Sequence, residues 1–172
     1  MRDLIILTGP RGSGKTSLCA RWISSAKANG LDPAGLLSPA VFHQGEKIGI
    51  DLLNVATGEQ RPLARQCLQT SQGIRLGVWC FKVTTLDWGN QILRTVKDQG
   101  LIFLDEMGPL EFEKGTGLVA GFELIDKKVF DQAVVVIRPE LLRQAQDRWP
   151  EARVLDVSAV ESEIPFPERG IV

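Results

Sequence analysis

The chain has 172 residues, with 20 Lys and Arg against 21 Asp and Glu, one His and a formal net charge of −1. That length predicts one domain, and a chain of this size buries roughly 70% of the surface its unfolded form exposes. A composition of 44% hydrophobic and 24% charged residues excludes disordered, collagenous and coiled-coil chains, and the balanced charge excludes a strongly basic nucleic-acid binder.

No run approaches the ~20 apolar residues of a membrane helix. The apolar stretch from Leu4 to Leu7 is interrupted by Thr8-Gly9-Pro10, too early for the core of a signal peptide. A cytoplasmic protein with no membrane or nucleic-acid partner is therefore expected, and a monomer. Cys19, Cys67 and Cys80 are scattered, with neither a metal pattern nor an evident disulfide framework. They read as neutral thiols in a reducing cytosol.

In chain order, residues 3–8 are apolar on both faces, as a parallel strand covered by helices would be. Glycines follow at 9, 12 and 14, and a helix is predicted over 15–29, with Leu18, Trp22, Ile23 and Ala26 on one face. From about 35 to 83 the pattern turns to short strands around turn residues. Gln44-Gly45 marks a hairpin and Gly58 another turn. This predicts an antiparallel β insertion.

A helix over 86–97 follows, then the apolar strand Leu101-Ile102-Phe103-Leu104, which ends in Asp105-Glu106. A helix over 118–129, a strand over 133–137, a helix opened by Pro139 and a last strand over 153–157 complete the pattern, with a tail over about 158–172. Strands separated by helical runs imply a mainly parallel sheet with helices on both faces, all within one domain spanning 1–172.

Gly9-Pro10-Arg11-Gly12-Ser13-Gly14-Lys15-Thr16 fits the pattern Gly-x-x-x-x-Gly-Lys-Ser/Thr in full. Glycines let backbone N–H groups turn toward a phosphate, and the following helix adds its positive end. Lys15 would bridge the β- and γ-phosphates, and Thr16 would offer its hydroxyl to Mg²⁺. The alternative is an ordinary glycine-rich turn, but a chance match to the whole pattern is on the order of one in a hundred for such a chain. Nucleotide binding by residues 9–16 is the expectation.

Asp105 and Glu106 end an apolar strand, as the phosphate loop follows one. If the two strands are neighbours, both ends lie on the sheet edge where open α/β folds bind ligands. Asp105 is then placed to hold Mg²⁺. Glu106, alternating to the other face, could orient or deprotonate the attacking water. The competing reading is a solvated strand end, where acids are common.

The run Asp105-Glu106-Met107-Gly108-Pro109-Leu110-Glu111 resembles the Asp-Glu-Ile-Gly-x-Met/Leu-Glu signature of the nucleoside-triphosphatase family that includes the cancer-related nucleoside-triphosphatase. Gly35-Leu36-Leu37-Ser38-Pro39, Gly45 to Asp51 and Arg61-Pro62-Leu63-Ala64-Arg65 resemble that family's Gly-Phe-x-Thr, Gly-Phe and Pro-Leu-Ala blocks. The resemblance covers about 4–137. It implies a RecA-like three-layer α/β/α P-loop fold and Mg²⁺-dependent hydrolysis of ATP, GTP and other nucleoside triphosphates to diphosphate and phosphate. It also implies Lys15, Thr16, Asp105 and Glu106 as working residues; Glu111 matches the signature's second acid and could cap or orient the loop. The family's Asn-Arg after the last strand is missing here, where Asp156-Val157-Ser158-Ala159-Val160 stands.

Arg138 and Arg143 lie where a basic lid often sits, although a solvated helix surface carrying Arg143 and Arg148 is the favoured reading, and Arg11 could face phosphate or solvent. His43 reads as a surface residue, Trp22, Trp88 and Trp149 as core. Two other classes use the same loop: a nucleotide-dependent kinase for a small acceptor, and a non-enzymatic nucleotide switch or adaptor. The paired acids favour hydrolysis over both.

Overall fold

A computed structural model describes residues 2–97, 99–105 and 107–160, with Gln99 described in its backbone only. Glu106 and positions 161–172 of the expected tail lie outside the described residues.

Strand β1 (Asp3–Thr8) leads into helix α1 (Lys15–Ala28). Then come β2 (Ala34–Leu37), β3 (Ala40–His43), β4 (Glu46–Asn54), β5 (Gln60–Gln66), β6 (Ile74–Leu76) and β7 (Trp79–Phe81). Helix α2 (Val83–Thr95), β8 (Gln99–Leu104), the single turn α3 (Pro109–Phe112) and α4 (Ala120–Asp126) precede β9 (Phe130–Val136), α5 (Leu142–Arg148) and β10 (Arg153–Asp156).

All the strands join one sheet in the order β10-β1-β9-β8-β2-β4-β5-β7-β6, with β3 also paired to β4. From β10 to β2 the pairings are parallel. From β2 onward they are antiparallel. The sheet is thus evenly mixed rather than mainly parallel. The antiparallel run does not stand apart: β4 pairs with β2 through Leu36↔Asn54 and Leu37↔Leu53, so it extends the same sheet.

Alternation along the parallel strands makes two cores, because successive side chains leave opposite faces. Ile5, Leu7, Phe103, Val134 and Val136 pack against Leu18, Trp22 and Ile23 of α1. Leu4, Ile6, Ile102, Leu104 and Val135 pack with Leu86 and Leu93 of α2, Leu124 and Ile125 of α4 and Ala145 of α5. Phe103 is fully buried, a burial that stabilises by roughly 1.5–3 kcal/mol. Parallel pairing through β9 puts the C-terminal ends of β1 and β8 at one edge of the sheet.

Gln44 and Gly45 both take positive φ, 48° and 83°, as the tight turn of the β3–β4 hairpin requires. The single strand expected over 74–83 is two short strands, and α2 begins directly after them. The helix expected over 118–129 is shorter, Ala120–Asp126. The free thiols expected at Cys67 and Cys80 are instead joined in a disulfide. Pairing of β5 with β7 brings them together, since Cys67 N–H donates to Val78 O across the two strands. A spacing of 13 residues gave no hint of this. Cys19 is a buried free thiol.

Candidate active site

The loop 9–16 leaves the buried end of β1 and turns directly into α1. Gly12 and Gly14 have φ of 73° and 90°, a left-handed backbone that a side chain would strain. The Lys15 ammonium folds over this loop, donating to Gly9 O at 2.6 Å and Pro10 O at 2.7 Å, with Ser13 Oγ at 3.4 Å. Its charge is thereby centred on the loop.

Thr16, in the first turn of α1, donates its hydroxyl to Asp105 Oδ2 at 2.6 Å. The same oxygen accepts from Ser38 N–H at 3.3 Å. Asp105 is buried, and its own N–H donates to Leu36 O at 3.0 Å. The two strand ends are not neighbours as expected, because β9 stands between β1 and β8. The contact is made by Thr16, reaching from the helix rather than from the strand. The phosphate loop and Asp105 therefore meet, while Glu106 lies outside the described residues.

Cys19, one turn along α1, has its thiol pushed well above the ordinary value by burial and by the Asp105 carboxylate. It stays a neutral thiol, not a nucleophile.

Arg11 is exposed and reaches Glu140 at 3.5 Å, outside the loop's interior. A backbone N–H holds the Glu140 carboxyl below its usual value, helped by Arg138 and Arg11. Arg138 is half-buried and Arg143 exposed. His43 is exposed on the hairpin. Trp22 and Trp149 are buried. Trp88 is half-buried beneath Arg61, 4.3 Å from its ring centre.

Two neighbours of the site carry more than the sequence discloses: there Asp156 stands out only in a segment lacking Asn-Arg, and Glu111 only as a residue that could cap or orient the loop. The segment after β10 lies against the loop: Thr8 pairs with Asp156, and a Cβ on Gly9 would stand 2.5 Å from Val157 Cγ1. The Asp156 carboxyl accepts from Ser158 N–H and Oγ, which hold it below its ordinary value, with a smaller contribution from Lys15. The other is Glu111, buried and bonded to Gly108 N–H and Leu118 N–H. Strand register brings Asp156 into place, while Glu111 combines a local cap on Gly108 N–H with a loop closure onto Leu118 N–H. A separate cavity of about 450 Å³, lined by Leu86, Asp87 and Asn90 of α2 with Thr116 and Gly117, contains neither loop residues nor Asp105.

A glycine-rich loop between a buried strand and a helix, its threonine bonded to an acid from a second strand end, defines a P-loop protein. Residues 4–147 match the protein family described as NTPase, and the chain belongs to that family. It is 30% identical over 126 residues to the nucleoside-triphosphatase THEP1 of Caldivirga maquilingensis, across 73% of this chain and 70% of that one. A mouse cancer-related nucleoside-triphosphatase homolog is 31% identical over 119 residues, across 62% of this chain and 60% of that protein. The solution structure of a human cancer-related nucleoside triphosphatase has the same fold, with a TM-score of 0.65 at 21% identity over 91% of this chain and 88% of that one.

Proposed function

We propose that the protein is a Mg²⁺-dependent nucleoside triphosphatase that converts ATP, GTP and other nucleoside triphosphates to diphosphate and phosphate. The observation that carries this reading is the 2.6 Å bond between Thr16 and Asp105. It joins the phosphate loop to the acid motif. The strand order β10-β1-β9-β8-β2, with helices against both faces, supports a RecA-like three-layer core carrying an antiparallel β-hairpin insertion; one monomeric domain over 1–172 is part of the same proposal.

The residues fit a small hard cation. Thr16 and Asp105 present a hydroxyl and a carboxylate oxygen at one point, the oxygen donors Mg²⁺ prefers. Phosphate oxygens and water would supply the remaining ligands. When bound, the ion neutralises charge on the β- and γ-phosphates.

The chain's own groups do the rest. Backbone N–H groups of residues 9–14 and the start of α1 bind the phosphates. The Lys15 ammonium exchanges its loop carbonyls for phosphate oxygens and takes up charge as the bond to the γ-phosphate breaks. Glu106, next in the chain after Asp105, accepts a proton from the attacking water or orients it.

A cytoplasmic location is part of this reading, since nucleoside triphosphates are held there. The Cys67–Cys80 bond weighs the other way, because cytosolic disulfides are uncommon. Thiol counting on protein trapped directly from cells decides that point.

Phosphate release is the test, measured with the four common triphosphates, with Mg²⁺ and with chelator. Release that requires Mg²⁺ is expected. Tight binding without release would make the protein a nucleotide switch, and transfer to a small acceptor would make it a kinase.

A further inference from the structure

We propose that Glu111 is a positioning residue for the hydrolysis set out above, fixing the turn that follows Asp105 and Glu106; this rests on the hydrolase reading. Glu111 is only 4% exposed. Its two carboxylate oxygens each accept from a buried backbone N–H: Oε2 from Gly108 at 2.8 Å and Oε1 from Leu118 at 2.6 Å. A carboxylate is costly to bury and is retained where its charge is matched by donors. Its bond to Gly108 N–H caps the single helical turn Pro109–Phe112, but its bond to Leu118 N–H reaches beyond that turn.

What the carboxylate does is close a loop. Gly108 lies three residues after Asp105, and Leu118 precedes α4. Glu111 joins the two. Gly117 is fitted to this clamp: its φ is +82°, and a Cβ there would overlap Glu111 Oε1. On the other side of the same turn, Met107 is 1% exposed and packs on Gly121, where a Cβ would come within 2.7 Å of its sulfur. The residues flanking Glu106 are thus pinned: Asp105 by Leu36 O and Thr16, Met107 by α4, Gly108 by Glu111.

Asn90 holds the loop at a different place. Its Nδ2 donates to Gly117 O at 2.8 Å and its Oδ1 accepts from Ala120 N–H at 2.9 Å. Among the described residues these bonds run to Gly117 and Ala120 and not to Gly108, so Asn90 supplies the control for a purely structural role.

Glu111→Gln tests the proposal. An amide offers one acceptor and one donor, so one of the two backbone N–H groups would face N–H. A small displacement of the reacting edge then lowers kcat by about 10- to 100-fold. KM, and the Kd of a non-hydrolysable triphosphate with Mg²⁺, stay within about threefold, because the phosphate loop is untouched. Asn90→Ala is expected to lower the melting temperature while leaving kcat within about threefold. If Glu111→Gln gives no cooperative melt, Gly117→Ala, which crowds Oε1 but keeps the carboxylate, is read for the same split of kcat from KM. A kcat for folded Glu111→Gln within about threefold of the original overturns the proposal, as does an equal kcat loss in Asn90→Ala. An unsubstituted protein that releases no phosphate overturns the hydrolase reading instead.

Discussion

Asp105 and Glu106 are consecutive carboxylates, yet the proposed reaction gives them separable work. Asp105 Oδ2 already accepts from the Thr16 hydroxyl and from Ser38 N–H. Asp105→Asn removes the charge from that cluster and puts an amide where a cation would sit. Metal affinity and turnover should fall together. Glu106→Gln keeps the size of the side chain and removes its basicity, with Lys15, Thr16 and Asp105 left in place. Triphosphate binding should then be nearly unchanged, while hydrolysis falls by about 10²- to 10⁴-fold, the usual contribution of a positioned general base. Calorimetry for binding and single-turnover phosphate release separate the two effects. A Glu106→Gln enzyme turning over within about threefold of the original would remove Glu106 from the reaction, against the loss expected of a lost base.

At the scale of the element, β2 is the piece that carries Ser38 to Asp105, and Gly35 decides whether it can lie there. Gly35 pairs with Phe103 of β8, has a φ of +111°, and would drive a Cβ into the Phe103 carbonyl oxygen. The neighbour is backbone, so it cannot swing away. Gly35→Ala should cost about 2–4 kcal/mol, combining backbone strain with overpacking. It should also weaken turnover by moving Ser38. Chemical denaturation measures the first effect, and a loss below about 1 kcal/mol would show that β2 tolerates the shift.

The same strand shows what a sequence can and cannot disclose. The glycine pattern from Gly9 to Gly14, the start of α1 at Lys15 and the acid at the end of β8 were legible, because each is a local pattern of turn, helix and buried strand. The order of the strands was not. Nothing in residues 101–104 says that β9 will insert between β8 and β1, or that Thr16 will span the gap from α1. The Cys67–Cys80 bond and the Glu111–Leu118 contact were hidden for the same reason: each is closed by pairing or looping over a distance along the chain. Asp156 was read only for what it lacked relative to a motif, whereas its register opposite Thr8 puts it beside the loop.

Over the whole molecule, the proposed ligands come from elements far apart in the chain: the loop after β1, the first turn of α1 and the end of β8. They converge only in the folded state. A triphosphate with Mg²⁺ should therefore bind the native protein and not the unfolded chain, and so raise its stability. At a free concentration of 100 times the Kd the gain is about 2.7 kcal/mol. For a domain of this size that corresponds to a rise of about 5–10 °C in melting temperature. Without Mg²⁺ the affinity falls, so the same nucleotide concentration should give a clearly smaller rise. In Asp105→Asn the difference between the two conditions should shrink toward zero, because the carboxylate that makes the metal matter is gone. Thermal melts of both proteins, with the non-hydrolysable triphosphate alone and with Mg²⁺, read this directly. An equal shift with and without Mg²⁺ in the original protein would mean that Thr16 and Asp105 hold each other rather than a metal. The loop would then be a phosphate cradle without the ion that the proposed hydrolysis requires.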